Sequence, residues 1–327
     1  MRKLFTILVL TVMTLFGGTV RASAAQQQYS IATNPVGMAL FTLGATLSEV
    51  MKKSYPGIQL NVEATNGGIH NTLLLEKREV ELGFTSALEA VASRAGTGRY
   101  KKKTPILGMF APVIGPGQCP ALASSGIKTV QDLRGKRVGV VRPGAMVRPI
   151  TDAFLEAYGM TTKDMTIYAE TLGNLVDKMK NGQLDAILWF GVVPLGPMMD
   201  LAKSRELVWL GVEPKALEPV LKKYPHLFAS EIPAGSYTGQ DKTVPTVAER
   251  YLVVALEDVP DDVVYAMVKS VYENLPELGQ AYRGWSSCTL ETALDSMTIP
   301  LHPGAVRYYR EVKLPGLEAF LAKYPGK

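Results

Sequence analysis

Ile58-Gln59-Leu60-Asn61-Val62-Glu63-Ala64 leads into Thr65-Asn66-Gly67-Gly68-Ile69-His70-Asn71. Then come Thr72-Leu73-Leu74-Leu75-Glu76-Lys77-Arg78, Val80-Glu81-Leu82-Gly83-Phe84 and Thr85-Ser86. Residues 58–64 alternate apolar and polar, the pattern of a half-buried strand. Gly67 and Gly68 permit a sharp turn and a close backbone approach to whatever lies above the strand end. A short helix, a second strand and a polar turn opening another helix follow. A helix start presents unpaired backbone N–H groups and favours an anion. The turns at 65–71 and 85–86 fall at one edge of a parallel sheet, the edge where open α/β proteins bind ligands.

Working outward, the same alternation recurs. Tyr29–Ala32 reads as a first strand, left through the turn Thr33-Asn34-Pro35-Val36-Gly37. Residues 38–53 carry Leu40, Leu43, Leu47 and Val50 at helical spacing. Pro105–Val113 predicts a strand, broken by Gly115-Pro116-Gly117 at a first crossing between lobes, with another strand over Cys119–Ser124. Strands at Arg137–Val141, Thr166–Ala169 and Leu184–Phe190 alternate with helices at 147–158 and 173–180. The loop-rich stretch 231–243 predicts the return crossing, and Tyr251–Leu256 a strand after it. The fold class is α/β, with two doubly wound lobes joined by two hinge crossings. Residues 25–114 plus 236–327 make lobe 1 and 115–235 lobe 2. Hinge closure on a ligand is the motion that such a layout supports.

Met1-Arg2-Lys3, the uncharged run Leu4–Val20 and Ala22-Ser23-Ala24 have the form of a signal peptide, residues 1–24, cleaved after Ala24. The alternative is a membrane anchor, for which the run is slightly short. Cleavage would remove Arg2, Lys3 and Arg21 and no acid, lowering a formal net charge of +5 by three. With no basic run interleaved with aromatics, nucleic acid is not an expected partner. Cys119 and Cys288 either form one disulfide in an exported chain or stay as two buried thiols. The histidines His70, His226 and His302 lack metal spacing, so no metal is expected. His302, between Leu301 and Pro303, reads as structural. No cofactor-binding motif and no nucleophile elbow is present, so neither cofactor nor catalysis is expected.

The candidate ligand-binding residues lie at strand exits. In lobe 1 they are Thr33 and Asn34, then Gly67, Gly68 and Asn71, then Ser86; each is also a possible turn or helix cap. In lobe 2 they are Gly144 and Arg148, where a guanidinium suits a carboxylate, with Arg142 in competition. Trp189 and Phe190 end a strand, either as an aromatic wall for the ligand or as core. The expected ligand is a small organic anion, bound by a monomer.

Several strings carry a resemblance to a known family: Thr65–Leu75, Asp132–Val138, Asn181–Ala186, Tyr237-Thr238-Gly239-Gln240 and Pro300-Leu301-His302-Pro303-Gly304-Ala305-Val306-Arg307-Tyr308-Tyr309. The chain resembles the TAXI-type solute-binding receptors of tripartite ATP-independent periplasmic (TRAP) transporters. The resemblance spans essentially all of it after residue 24. It implies type II periplasmic-binding-protein lobes, a periplasmic location and no catalysis. It also implies delivery of a small carboxylate, such as glutamate or 2-oxoglutarate, to TRAP membrane subunits. Three departures bear on the ligand: the first turn lacks the family's Gly-Thr-Gly character, Pro143-Gly144-Ala145-Met146-Val147 lacks two hydroxyls, and Leu88 replaces an acid. Two other readings are a binding protein for an ABC importer or sensor, and an exported hydrolase of related fold.

Overall fold

The computed structural model describes residues 26–143 and 148–326. The expected signal peptide and the candidate Gly144 lie outside the described residues. The chain opens with β1 (Gln27–Ala32), α1 (Ala39–Ser54), β2 (Ile58–Glu63), α2 (Gly68–Lys77), β3 (Leu82–Ser86) and α3 (Ala87–Ala95). A long strand, β4 (Ile106–Leu122), then leads to β5 (Arg137–Val141), α4 (Arg148–Glu156), β6 (Thr166–Glu170), α5 (Leu172–Lys180) and β7 (Ala186–Phe190). Next come α6 (Gly196–Ser204), β8 (Leu207–Leu210), α7 (Pro214–Lys223) and β9 (Phe228–Ile232). The last strand, β10 (Val244–Leu256), precedes α8 (Asp261–Glu273), α9 (Leu275–Ala281), α10 (Pro303–Glu311) and α11 (Leu317–Lys323).

Among the described residues the strands join in the order β2-β1-β3-β10-β4-β7-β5-β6, with β8 added to β4 and β9 to β10. β2, β1 and β3 pair in parallel, as do β6, β5 and β7. The resulting two α/β lobes meet at the antiparallel pair β4 and β10. The doubly wound architecture expected from sequence is therefore present.

The crossings differ from expectation. Gly115-Pro116-Gly117 does not break the strand, because neither glycine takes a positive φ and β4 runs through them, paired to β10. Gly117 is needed for closeness rather than for turning. A Cβ there would stand 2.7 Å from the Phe190 ring and 2.9 Å from the Thr246 hydroxyl. The stretch 233–243 is not a crossing either: it joins the antiparallel hairpin of β9 and β10. The return is made by β10, whose first five residues pair with β9 and whose later ones pair with β3. Leu43, Leu47, Phe84, Phe110, Val138, Phe154 and Leu188 belong to one continuous buried cluster, so the core runs through the junction. A second cluster, with Leu175, Met179, Leu184 and Met198, lies beneath α5 and α6.

Of the two cysteine alternatives, the structure has two buried free thiols. Burial pushes both up to about 12, so both remain protonated. His302 is structural: its Nδ1 accepts the Gly304 N–H at 3.2 Å and caps α10. Burial holds its pKa below the usual histidine value despite the nearby Asp261.

Candidate functional site

Three parallel strand ends in the first lobe bring Thr33, Thr65, Asn71 and Ser86 to one edge. Their side chains bond chiefly to the protein. Thr33 Oγ1 donates to the Glu63 carbonyl at 2.8 Å, tying β1 to β2. Asn71 Nδ2 donates to the Thr33 carbonyl at 2.7 Å and the Phe84 carbonyl at 2.8 Å, while its Oδ1 faces the Thr65 hydroxyl at 2.5 Å. That amide fastens the ends of β1 and β3 together. Asn34 Oδ1 accepts the Phe41 N–H at 2.7 Å, serving the first turn of α1, where Met38 gives no side-chain cap. Ser86 caps α3 through the Glu89 N–H at 3.3 Å.

Gly67 makes the sharp turn, and Gly68 is the first residue of α2. Gly67 has φ 98°, a conformation that L side chains rarely adopt, and no side chain caps α2. The first-turn N–H groups of α2 thus have no side-chain cap. Exposed apolar side chains follow two other strands: Val36 and Met38 after β1, and Leu88 after β3.

The second-lobe candidates divide. Phe190 is buried edge-to-face against Phe154, with centroids 6.2 Å apart, and packs as core. Trp189 beside it is half-buried and paired with Gln118 of β4. Arg148 turns back along its own helix. Its Nε lies 3.2 Å from Asp152 and its terminal nitrogen 3.0 Å from the Thr162 hydroxyl. A guanidinium held in that way is not directed at a solute, whereas Arg142 is exposed. The structure therefore gathers the first-lobe residues and Phe190 along the junction, and leaves Arg148 apart.

Sequence reasoning missed a polar group set into β10. Glu249 is 1% exposed, and its buried Oε1 has no hydrogen-bond partner among the described residues. Desolvation first, then the nearby Glu89, push its pKa up to about 8. Glu89 itself receives the Tyr100 hydroxyl and lies 3.7 Å from Arg99 Nε. Burial keeps the Tyr100 phenol neutral, and its oxygen lies 2.6 Å from the Thr72 hydroxyl. The available signal was two adjacent charges, Glu249-Arg250, inside an otherwise apolar strand. A further buried set ties the β9–β10 connection and the turn after β7 to β4: the Tyr237 hydroxyl donates to Gln118 Oε1, and Gln118 Nε2 donates to the Gly191 carbonyl at 2.8 Å.

Two shallow surface hollows lie away from this edge. One of about 500 Å³ is lined by His70, Leu73, Glu76 and Lys77 of α2 together with Arg99, Lys101 and Lys102. Another of about 390 Å³ is lined by residues of α3 and the 298–300 segment. Among the described residues no group of three His, Cys, Asp or Glu stands close enough to hold a metal ion.

Comparison with known proteins gives two findings. Among solved structures, the chain is similar to the alkanesulfonate-binding protein SsuA from Xanthomonas axonopodis pv. citri bound to MOPS. Identity is 17% over 93% of this chain and 86% of that one, with a TM-score of 0.47. It is similar to the periplasmic aliphatic sulphonate binding protein SsuA from Escherichia coli, with 14% identity over 87% and 83% and a TM-score of 0.49. It is also similar to the probable amino-acid ABC transporter extracellular-binding protein ytmK from Bacillus subtilis, with 13% identity over 79% and 97% and a TM-score of 0.48. The model of the NMT1-like family matches residues 31–312, nearly the whole described chain, and the protein belongs to that family.

Proposed function

We propose that the protein is an exported solute-binding receptor. On this reading it closes two lobes on a small organic solute in the periplasm and presents the closed form to membrane subunits of a transporter, without chemistry on the solute. The observation that carries the reading is the junction itself. Among the described residues the two halves of the sheet are joined through the strands β4 and β10, and the start of α2, which no side chain caps, lies at a strand edge of the first lobe. Twisting two strands is a low-cost motion, and contacts made only in the closed form give the solute its hold on the equilibrium.

On this reading the lobes divide within the crossing strands β4 and β10, close to the division 25–114 plus 236–327 against 115–235, and the edge facing the solute is the one that Thr33, Asn34, Asn71 and Ser86 hold in shape and from which Gly67 and Gly68 present backbone. For the transport system, the string 300–309 supports TRAP membrane subunits as partners. An ABC-type importer, the kind of system after which the Bacillus protein is called, is the second reading. One site feature weakens the carboxylate-only form of the first: Arg148, the guanidinium expected to clamp a carboxylate, is engaged by Asp152 and Thr162. A thermal-shift screen of organic acids, amino acids and sulfonates tests the receptor reading. A saturable rise in melting temperature with one chemical class supports it, and no shift with any class overturns it. The genes beside this one distinguish TRAP from ABC membrane subunits.

A further inference from the structure

The register of the two crossing strands places Glu249 between the lobes. On β10, Tyr251 pairs with Ser86 at the end of β3, and two residues earlier Glu249 pairs with Gly115 on β4. Two residues further along β4, Gly117 pairs with Phe190 at the end of β7. The carboxyl therefore stands on the strand that spans the two strand exits, one from each lobe.

Its neighbours leave it without a counter-charge. Successive residues of a strand face opposite ways, so Arg250 does not answer it. Arg250 is engaged on the other face, with its Nε 3.2 Å from Asp295 and NH1 donating to the Ser287 carbonyl at 2.8 Å. The charged group that α3 brings near is Glu89, a like charge already served by Tyr100 and Arg99. Across the register Gly115 contributes no side chain, and the Tyr251 phenol fills that side: a Cβ on Gly115 would meet its oxygen at 3.0 Å. A buried carboxylate with no donor is unfavourable unless an added partner carries positive charge.

We propose that this junction is a cation subsite, in which Glu249 receives the ammonium or amidinium group of the solute with Tyr251 beside it. The proposal rests on the receptor reading and narrows its solute class. Donors at the start of α2 suit a carboxylate and Glu249 suits a cation, so the solute is zwitterionic, of the amino-acid kind, rather than a simple organic acid. A metal ion fits less well, since the described residues supply no third acidic or histidine ligand. An ammonium group meeting Glu249 releases the proton that the buried carboxyl holds near neutral pH.

The experiment uses the chain without residues 1–24 and titration calorimetry against a panel of L-amino acids, their 2-oxo-acid counterparts and simple alkylamines. The expected result is binding of an amino acid, with its oxo-acid counterpart about 10- to 100-fold weaker, the scale of one charge-assisted hydrogen bond. The Glu249→Gln variant loses that advantage. A second measurement needs no variant: at pH 7 the binding heat varies with the buffer's ionisation heat in the sense of proton release. Oxo acids binding as tightly as amino acids, or Glu249→Gln keeping the full preference, overturns the inference and leaves the receptor standing. No binding by any member of the panel, with a flat thermal screen, overturns both.

Discussion

Asn71 commits both its amide hydrogens and its oxygen to the first lobe, bridging carbonyls from two strands. Replacing it with alanine leaves the Phe84 carbonyl without that donor and the Thr65 hydroxyl without that acceptor, inside the protein. We expect Asn71→Ala to lower stability by about 2–4 kcal/mol, read as a fall in the denaturant midpoint at unchanged slope. An unchanged midpoint would show the amide to be free for other work. Glu249 gives a second prediction, in pH. Its folded pKa is raised from the usual glutamate value to about 8, so the folded chain holds a proton that the unfolded chain has released. Stability is then fullest below the ordinary glutamate range and declines as pH rises through the window up to about 8. Melting temperatures from pH 5 to 8 should fall in the parent and fall less in Glu249→Gln; parallel curves would remove Glu249 as the cause. At this scale the sequence located polar groups well and their roles poorly. Thr33, Asn71 and Ser86 were legible as strand-exit residues. Whether such a group faces a solute or a neighbouring carbonyl depends on burial and register, which spacing along the chain does not encode. Arg148 shows the same limit, because an i,i+4 acid, Asp152, competes for it on its own helix.

Glycine positions test the packing of elements against one another. A Cβ on Gly304 in α10 would stand 2.3 Å from the Asp261 carbonyl oxygen and 2.8 Å from the Tyr265 nitrogen, both backbone atoms of α8. Backbone does not yield as a side chain does, so Gly304→Ala should part α10 from α8 and destabilise by about 1–3 kcal/mol. Gly173 in α5 has nothing within 4 Å of the same built atom. Gly173→Ala should be neutral or stabilising by up to about 1 kcal/mol through helix propensity. Thermal unfolding of the pair checks both, and equal effects would refute the packing argument. Helices and parallel strands were legible because their apolar spacing is local. The long strands were not. Gly-Pro-Gly in β4 has the composition of a turn, and the close approach of Phe190 and Thr246 to Gly117 and of Tyr251 to Gly115 accounts for the glycines there.

Considered whole, the molecule has two lobes and a core that crosses between them. Ile31 and Leu43 belong to the same buried cluster as Val140 and Phe154. Unfolding should therefore appear as one calorimetric transition, shifted upward by a bound solute as a unit. Two resolved transitions would show that the lobes melt separately.

The place of β10 in the sheet bears on how the chain is made. It lies between β3 and β4, yet it comes after both by the whole of the second lobe. A polypeptide emerging from the ribosome or threading through a membrane pore exposes β3 and β4 with open facing edges until Val244–Leu256 arrives. Those edges are templates for pairing with other chains, and closing them across so long an intervening segment is slow. The gap between β3 and β4 can thus close only when this late segment arrives to pair with both.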